Sequence, residues 1–107
     1  MPAQNSRARL VIQNGGFAGT SYELSASETL IGRNPTTDIT LLDDGISREH
    51  AIVLYDEVND VYSVEDLQST NGTQVNGKRV RSITLSNGDE VRIGRTLFQF
   101  VREPRLP

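Results

Sequence analysis

The 107 residues contain no cysteine and no tryptophan, one methionine and a single histidine, His50. Without cysteine there are no disulfides, no zinc ribbons, no thiol catalysis and no thiol redox switch. A lone histidine removes multi-histidine metal sites, so no metal is expected. No window approaches the roughly 18 consecutive apolar residues of a membrane helix, and residues 1–14 place no long apolar run behind their charges. A soluble, cytoplasmic chain with no membrane partner is the expectation. Helix periodicity is missing too: no window of about eleven residues repeats apolar positions at i, i+3, i+4 and i+7 without Gly, Pro or Asn breaking it. An excess of positive charge is the last absence. The net charge of −3 argues against the general attraction to phosphate backbones on which nucleic-acid binders rely.

What is present is one small domain's worth of chain, 36% hydrophobic and 23% charged. A chain of this size buries only about two-thirds of its unfolded surface, which leaves little room for an internal cofactor cavity, and no cofactor is expected. Strand signals recur throughout as short β-branched, aromatic or aliphatic runs bounded by turn residues. They place strands near Arg9 to Gln13, Ser21 to Leu24, Thr29 to Gly32, Ile39 to Leu41, Ala51 to Tyr55, Val61 to Asp66, Gln74 to Val75, Lys78 to Val80, Glu90 to Ile93 and Thr96 to Val101. Tyr22 and Leu24 alternate with Glu23, Val91 and Ile93 flank Arg92, and Phe98 and Phe100 flank Gln99, as in half-buried antiparallel strands. Ala51 to Tyr55 is apolar on both faces and reads as a central strand. Four Asn-Gly pairs, at 14, 71, 76 and 87, and Asn59-Asp60 mark tight turns, because these residues tolerate positive φ. The pattern predicts an all-β antiparallel sandwich over residues 9–102, with flexible tails at 1–8 and 103–107. Ends this short fit a domain taken from a larger protein.

Three connections are richer in polar groups than turns require: residues 32–38, residues 43–50 and residues 66–73. Together they supply two arginines, several hydroxyls, an amide and glycines that free backbone N–H groups. That is the inventory for holding a tetrahedral oxyanion. Charge is uneven as well. Residues 38–66 carry nine acids and one base, Arg48, while residues 78–105 carry seven bases and three acids. Arg48 therefore goes against its surroundings, either for a purpose or simply to relieve acidic repulsion.

In order and spacing, Gly32-Arg33, Asp38-Ile39, Ser47-Arg48-Glu49-His50, Asp66-Leu67-Gln68-Ser69-Thr70-Asn71-Gly72-Thr73, Val75-Asn76-Gly77, Leu85, Gly88-Asp89 and Ile93-Gly94 resemble the forkhead-associated (FHA) domain. The resemblance spans about residues 9–101. Each motif alone is weak, and the ordered set is specific. It implies an eleven-stranded, FHA/SMAD-like β-sandwich with its ligand loops at one end. It implies phosphothreonine-peptide binding without catalysis, as an adaptor in Ser/Thr kinase signalling whose partners include a Ser/Thr kinase or its substrates. Carried onto these positions, Arg33 and Ser47 contact the phosphate and Arg48 adds a further contact. Thr70 lines the phosphate and methyl pocket, and Asn71 bonds the peptide main chain. Gly32, His50 and Gly72 support the loops.

Plainer readings stand beside these. Arg33 alone is a surface Arg after a strand, Ser47 a turn cap, and Thr70 and Asn71 turn formers before Gly72. His50 invites pairing with Ser47 and Asp66 as a hydrolase, yet three residues in a turn leading to a strand is too close for nucleophile geometry. Asp43-Asp44 lacks cation-loop spacing and reads as solvated charge. Lys78, Arg79 and Arg81, with no interleaved aromatics, read as a solvated strand face. The alternative function is a sandwich that assembles with partners independently of phosphate.

Overall fold

Alternation along β1 (Ser6–Ile12) sets the pattern for the whole molecule: Ala8, Leu10 and Ile12 are buried, while Arg7 and Arg9 point outward to pair with Glu23 and Glu103. The computed structural model describes residues 6–104. After β1 come a 3-10 turn at Gly15–Phe17 and the strands β2 (Ser21–Glu23), β3 (Glu28–Gly32), β4 (Ile39–Thr40), β5 (Ala51–Asp56) and β6 (Val61–Asp66). Then follow β7 (Thr73–Val75), β8 (Lys78–Val80), β9 (Ser82–Leu85), β10 (Glu90–Ile93) and β11 (Thr96–Pro104).

These strands form two sheets, one ordered β2-β1-β11-β10-β7-β8 and the other β4-β3-β5-β6-β9. All pairings with a recorded register are antiparallel except the short parallel contact of Ile31 and Gly32 with Ile39 and Thr40. β5 lies at the centre of its sheet, as its doubly apolar face requires. Between the sheets the fully buried side chains include Leu10, Ile31, Tyr62, Val64, Ile93, Phe98 and Phe100. Each such burial contributes about 1.5–3 kcal/mol. Phe100 packs against Tyr62 with ring centres 5.5 Å apart and the rings inclined by 57°. Arg102 then clips the two sheets: its guanidinium lies 5.1 Å from the Tyr62 ring centre and 2.6 Å from Asp60 Oδ1. Tyr55 donates its hydroxyl to the same Asp60 oxygen.

Two features differ from what the sequence predicts. β9 is not among the ten expected strands, because Ser82, Ile83 and Thr84 are all exposed and only Leu85 faces the core. The outer strands also run further than expected. Ala8 continues the inward alternation of Leu10, so β1 and β11 pair beyond residues 9 and 102, with Arg7 opposite Glu103. The rest of the expected tails, residues 1–5 and 105–107, lies outside the described residues. Among the described residues, no helix is long and apolar enough to cross a membrane.

Candidate functional site

β3 ends where β5 begins, and β6 ends where β7 begins, so the connections 33–38, 41–50 and 67–72 emerge together at one end of the sandwich. The β10–β11 turn at Gly94 and Arg95 joins them there. Gly32 permits the first contact. The N–H groups of Arg33 and Asn34 donate to the Ser47 and Arg48 carbonyls at 3.0 and 3.1 Å. A methyl on Gly32 would stand 2.0 Å from the Arg48 carbonyl oxygen, so only glycine allows this approach.

Arg33 is exposed, and its Nε donates to the Ile46 carbonyl at 3.0 Å. That bond orients the guanidinium, and its two terminal nitrogens have no partner among the described residues and are open for an anion. Ser47 faces the third loop: its Oγ accepts the Thr70 N–H at 3.1 Å. The hydroxyl hydrogen of Ser47 stays available to a ligand, and the Thr70 side chain is exposed next to it. Asn71 is exposed and donates from Nδ2 to the Gly45 carbonyl at 2.9 Å, and its Oδ1 and second N–H have no partner among the described residues. Arg48 is exposed and unpaired among the described residues.

His50 lies beneath them, fully buried. Its Nδ1 accepts the Ser47 N–H at 3.1 Å, and a backbone N–H can only donate, so the ring hydrogen sits on Nε2. Nε2 donates it to the Gly72 carbonyl at 2.8 Å. One imidazole thus joins the 41–50 connection to the 67–72 connection. The same contacts are incompatible with a hydrolytic triad of His50 and Ser47. Both ring nitrogens are committed to backbone groups, and the Ser47 hydroxyl is bonded to Thr70 rather than to His50.

Asp66 is the anchor of the third loop, a role that its place in the sequence does not reveal. It accepts bonds from the Ser69 and Thr73 hydroxyls and the Ser69 N–H, and Ser69 Oγ in turn accepts the Gly72 N–H. Burial alone would raise its carboxyl, but the Ser69 and Thr73 donors outweigh it and hold the group below the usual carboxylate range. Asp43 corrects the expectation of a solvated charge. Its Oδ1 accepts the Gly45 N–H and its Oδ2 the Arg95 N–H, at 2.9 and 2.8 Å. Those two backbone donors lower its pKa and tie the 41–50 connection to the β10–β11 turn. Its spacing to Gly45 is that of an Asx turn, which is the signal that would have found it. Among the described residues no cluster of three or more His, Cys, Asp or Glu groups is placed to hold a metal.

All five expected ligand residues therefore gather at one end, with Gly32, His50 and Gly72 behind or between them. An all-β sandwich that joins an arginine fork, two hydroxyls and an outward amide through three interlocked loops is a loop-presenting binding domain. The profile of the FHA domain family matches residues 29–94, and the chain belongs to that family. It is 41% identical over 98 residues to the glycogen accumulation regulator GarA of Mycobacterium tuberculosis, covering 92% of this chain and 59% of that protein. It is 42% identical over 94 residues to the oxoglutarate dehydrogenase inhibitor of Corynebacterium jeikeium, covering 88% and 64% respectively. The chain thus spans about three-fifths of the length of these curated relatives. Among solved structures, an FHA domain studied for phosphothreonine-dependent interactions superposes with a TM-score of 0.83 at 33% identity, covering 92% of this chain and 98% of that one. Mycobacterium tuberculosis EmbR in complex with a low-affinity phosphopeptide superposes at 0.81 with 34% identity, covering 94% of this chain and 25% of that one.

Proposed function

We propose that this domain binds phosphothreonine peptides without catalysis and acts as an adaptor in Ser/Thr kinase signalling, its partners including a Ser/Thr kinase or its substrates. The observation that carries the reading is the 3.1 Å bond between the Thr70 N–H and Ser47 Oγ, beside an Arg33 fork held by Ile46 with its terminal nitrogens open. Arg33, Ser47 and Arg48 hold the phosphate, Thr70 closes the pocket over the threonine methyl, and Asn71 bonds the peptide backbone. Gly32, His50 and Gly72 keep the loops in register. Relatives that are regulators and an enzyme inhibitor by name, and neighbours that bind phosphopeptides, support this assignment.

A phosphothreonine carries about −1.5 to −2 charges at pH 7, and each charge-assisted bond contributes roughly 1.5–3 kcal/mol. Ordering an extended peptide opposes them, which gives a micromolar Kd, near −8 kcal/mol. The threonine methyl adds about 1–3 kcal/mol over serine. The test titrates the domain against degenerate phosphothreonine, phosphoserine and unphosphorylated peptide pools, with Arg33→Ala as the variant and circular dichroism as the folding check. Saturable binding to the phosphothreonine pool, lost in Arg33→Ala, is the expected outcome. Equal affinity for the unphosphorylated pool refutes it.

One observation favours the phosphate-independent reading. Phe17 and Leu42 are 76% and 88% exposed at a groove of about 530 Å³ next to Asp43, an apolar surface that would suit a folded partner. Binding that survives dephosphorylation and Arg33→Ala but is lost in Leu42→Ser would establish that reading instead.

A further inference from the structure

On charge pattern alone, Lys78, Arg79 and Arg81 read as a solvated strand face, yet Arg79 departs from that pattern. In the β7–β8 hairpin Arg79 sits opposite Gln74 and Val80 opposite Thr73. This register places Arg79 on the outer face of the sheet, next to the end of the 67–72 loop. Its side chain lies across Gly72: a methyl built there would stand 2.4 Å from Nε and 2.8 Å from Cζ. Gly72 has φ +85°, so the loop needs a glycine for its backbone as well as for this seat.

The consequence is a guanidinium positioned by the backbone of the binding loop itself. Arg79 is exposed and has no hydrogen bond or ion pair among the described residues. The Thr70–Gly72 segment therefore has the Ser47 hydroxyl at one end and an unengaged cation at the other. Across the site, where Asn71 reaches the Gly45 carbonyl, the neighbouring exposed charges are Asp44 and Arg95, of opposite sign.

We infer that Arg79 is a specificity-determining residue of this site, binding the carboxylate of an acidic residue on the flank of the phosphothreonine that crosses Gly72. The inference rests on the phosphothreonine reading above. A guanidinium seated in this way loses less freedom on pairing than a free surface Arg, and it presents a fork that matches a carboxylate. The pair remains exposed to solvent, so its effect is modest: about three- to fivefold in affinity, and screened by salt. On the opposite flank an acid meets both Asp44 and Arg95, so the gain belongs to the side that crosses Gly72.

The test uses the full chain and three pools that share a fixed phosphothreonine: one with Asp or Glu at three positions before it, one with them after it, and one with Ala throughout. Fluorescence anisotropy is measured at 50 and 500 mM NaCl for the unmodified chain, Arg79→Gln, Arg79→Glu and Arg33→Ala. Circular dichroism reports the fold. Expected for the unmodified chain is about three- to fivefold tighter binding of one acidic pool than of the alanine pool at low salt, shrinking at high salt. That preference disappears in Arg79→Gln and inverts in Arg79→Glu, while Arg79→Gln binds the alanine pool within about twofold of the unmodified chain. Equal affinity for all three pools overturns the inference, as does a preference that survives both Arg79 variants. The salt comparison needs no substitution, so a preference that fails to shrink at 500 mM NaCl also overturns it, whether or not the variants fold. Failure of every pool to bind, or full binding by Arg33→Ala, defeats the phosphothreonine reading, and the Arg79 inference with it.

Discussion

His50→Ala gives the most direct measure of how the binding loops are held. The ring is fully buried, and its removal frees two backbone groups that, among the described residues, it alone satisfies: the Ser47 N–H, bonded at 3.1 Å, and the Gly72 carbonyl, bonded at 2.8 Å. Leaving a buried polar group unpaired costs about 1–3 kcal/mol, and Gly72 is itself buried. The vacated ring volume adds a cavity cost of the same order. The sum is about 2–6 kcal/mol, a large share of the roughly 5–15 kcal/mol that holds a small domain folded. Urea unfolding measures it. The chain has no tryptophan, so far-ultraviolet circular dichroism is the suitable probe. With a slope of about 1–3 kcal/mol per molar urea, the midpoint falls by about 2 M. Phosphopeptide affinity, measured where the variant is still folded, falls too, because Ser47 and Thr70 no longer share a register. A midpoint shift under about 0.5 M, with affinity unchanged, would show that the imidazole is not the joint between the two loops.

Gly32→Ala drives a methyl to 2.0 Å from the Arg48 carbonyl, so the backbone must shift: a loss of about 2 kcal/mol or more and weaker phosphopeptide binding are expected, and unchanged urea and binding curves would contradict the close approach. Arg102→Ala leaves Asp60 without its guanidinium and Tyr62 without its cation, which lowers stability by about 1–3 kcal/mol without altering phosphopeptide affinity; an altered affinity would refute the separation of clip and site. Acid should loosen the loops. Asp43 and Asp66 titrate below their ordinary range when folded, so the unfolded chain takes up protons first as pH falls. Their contribution is complete above the unfolded value of about 3.9 and is lost as pH drops through the folded values. Urea midpoints between pH 6 and pH 3 should fall, less steeply in Asp66→Asn, and parallel profiles for the two chains would exclude Asp66 as a source.

Strands are legible in this sequence where one face is dry. Phe98 and Phe100 around Gln99, or Val91 and Ile93 around Arg92, announce themselves by period two, and each lies in the core. β9 is not legible because its pairing with β6 is made by backbone groups under exposed side chains, and only Leu85 contributes an apolar signal. Asn14-Gly15 marks a turn but not its geometry. Instead of closing a tight hairpin it starts a 3-10 turn, and its side chain accepts the Leu97 N–H and donates to the Arg95 carbonyl, contacts more than eighty residues away in sequence.

The site divides along a different line. Residues that would touch a ligand show in the sequence as polar surplus in the loops, since Arg33, Ser47, Thr70 and Asn71 exceed what turns require. Residues that only aim them show far less, because a carboxylate that caps backbone N–H groups differs in sequence from one in water only by local spacing, such as the Asx-turn distance from Asp43 to Gly45. Asp43 and Asp66 are both of that kind, and each holds one binding loop by accepting backbone donors. His50 is legible as a support through the family resemblance, its short spacing to Ser47 speaks against catalysis, and the bond from Ser47 N–H to Nδ1 gives the physical reason for both. A ring nitrogen that accepts from the backbone of the very serine it would activate has no lone pair left there to take that serine's proton, and the other nitrogen is spent on Gly72. The arrangement that makes a good brace therefore makes a poor base.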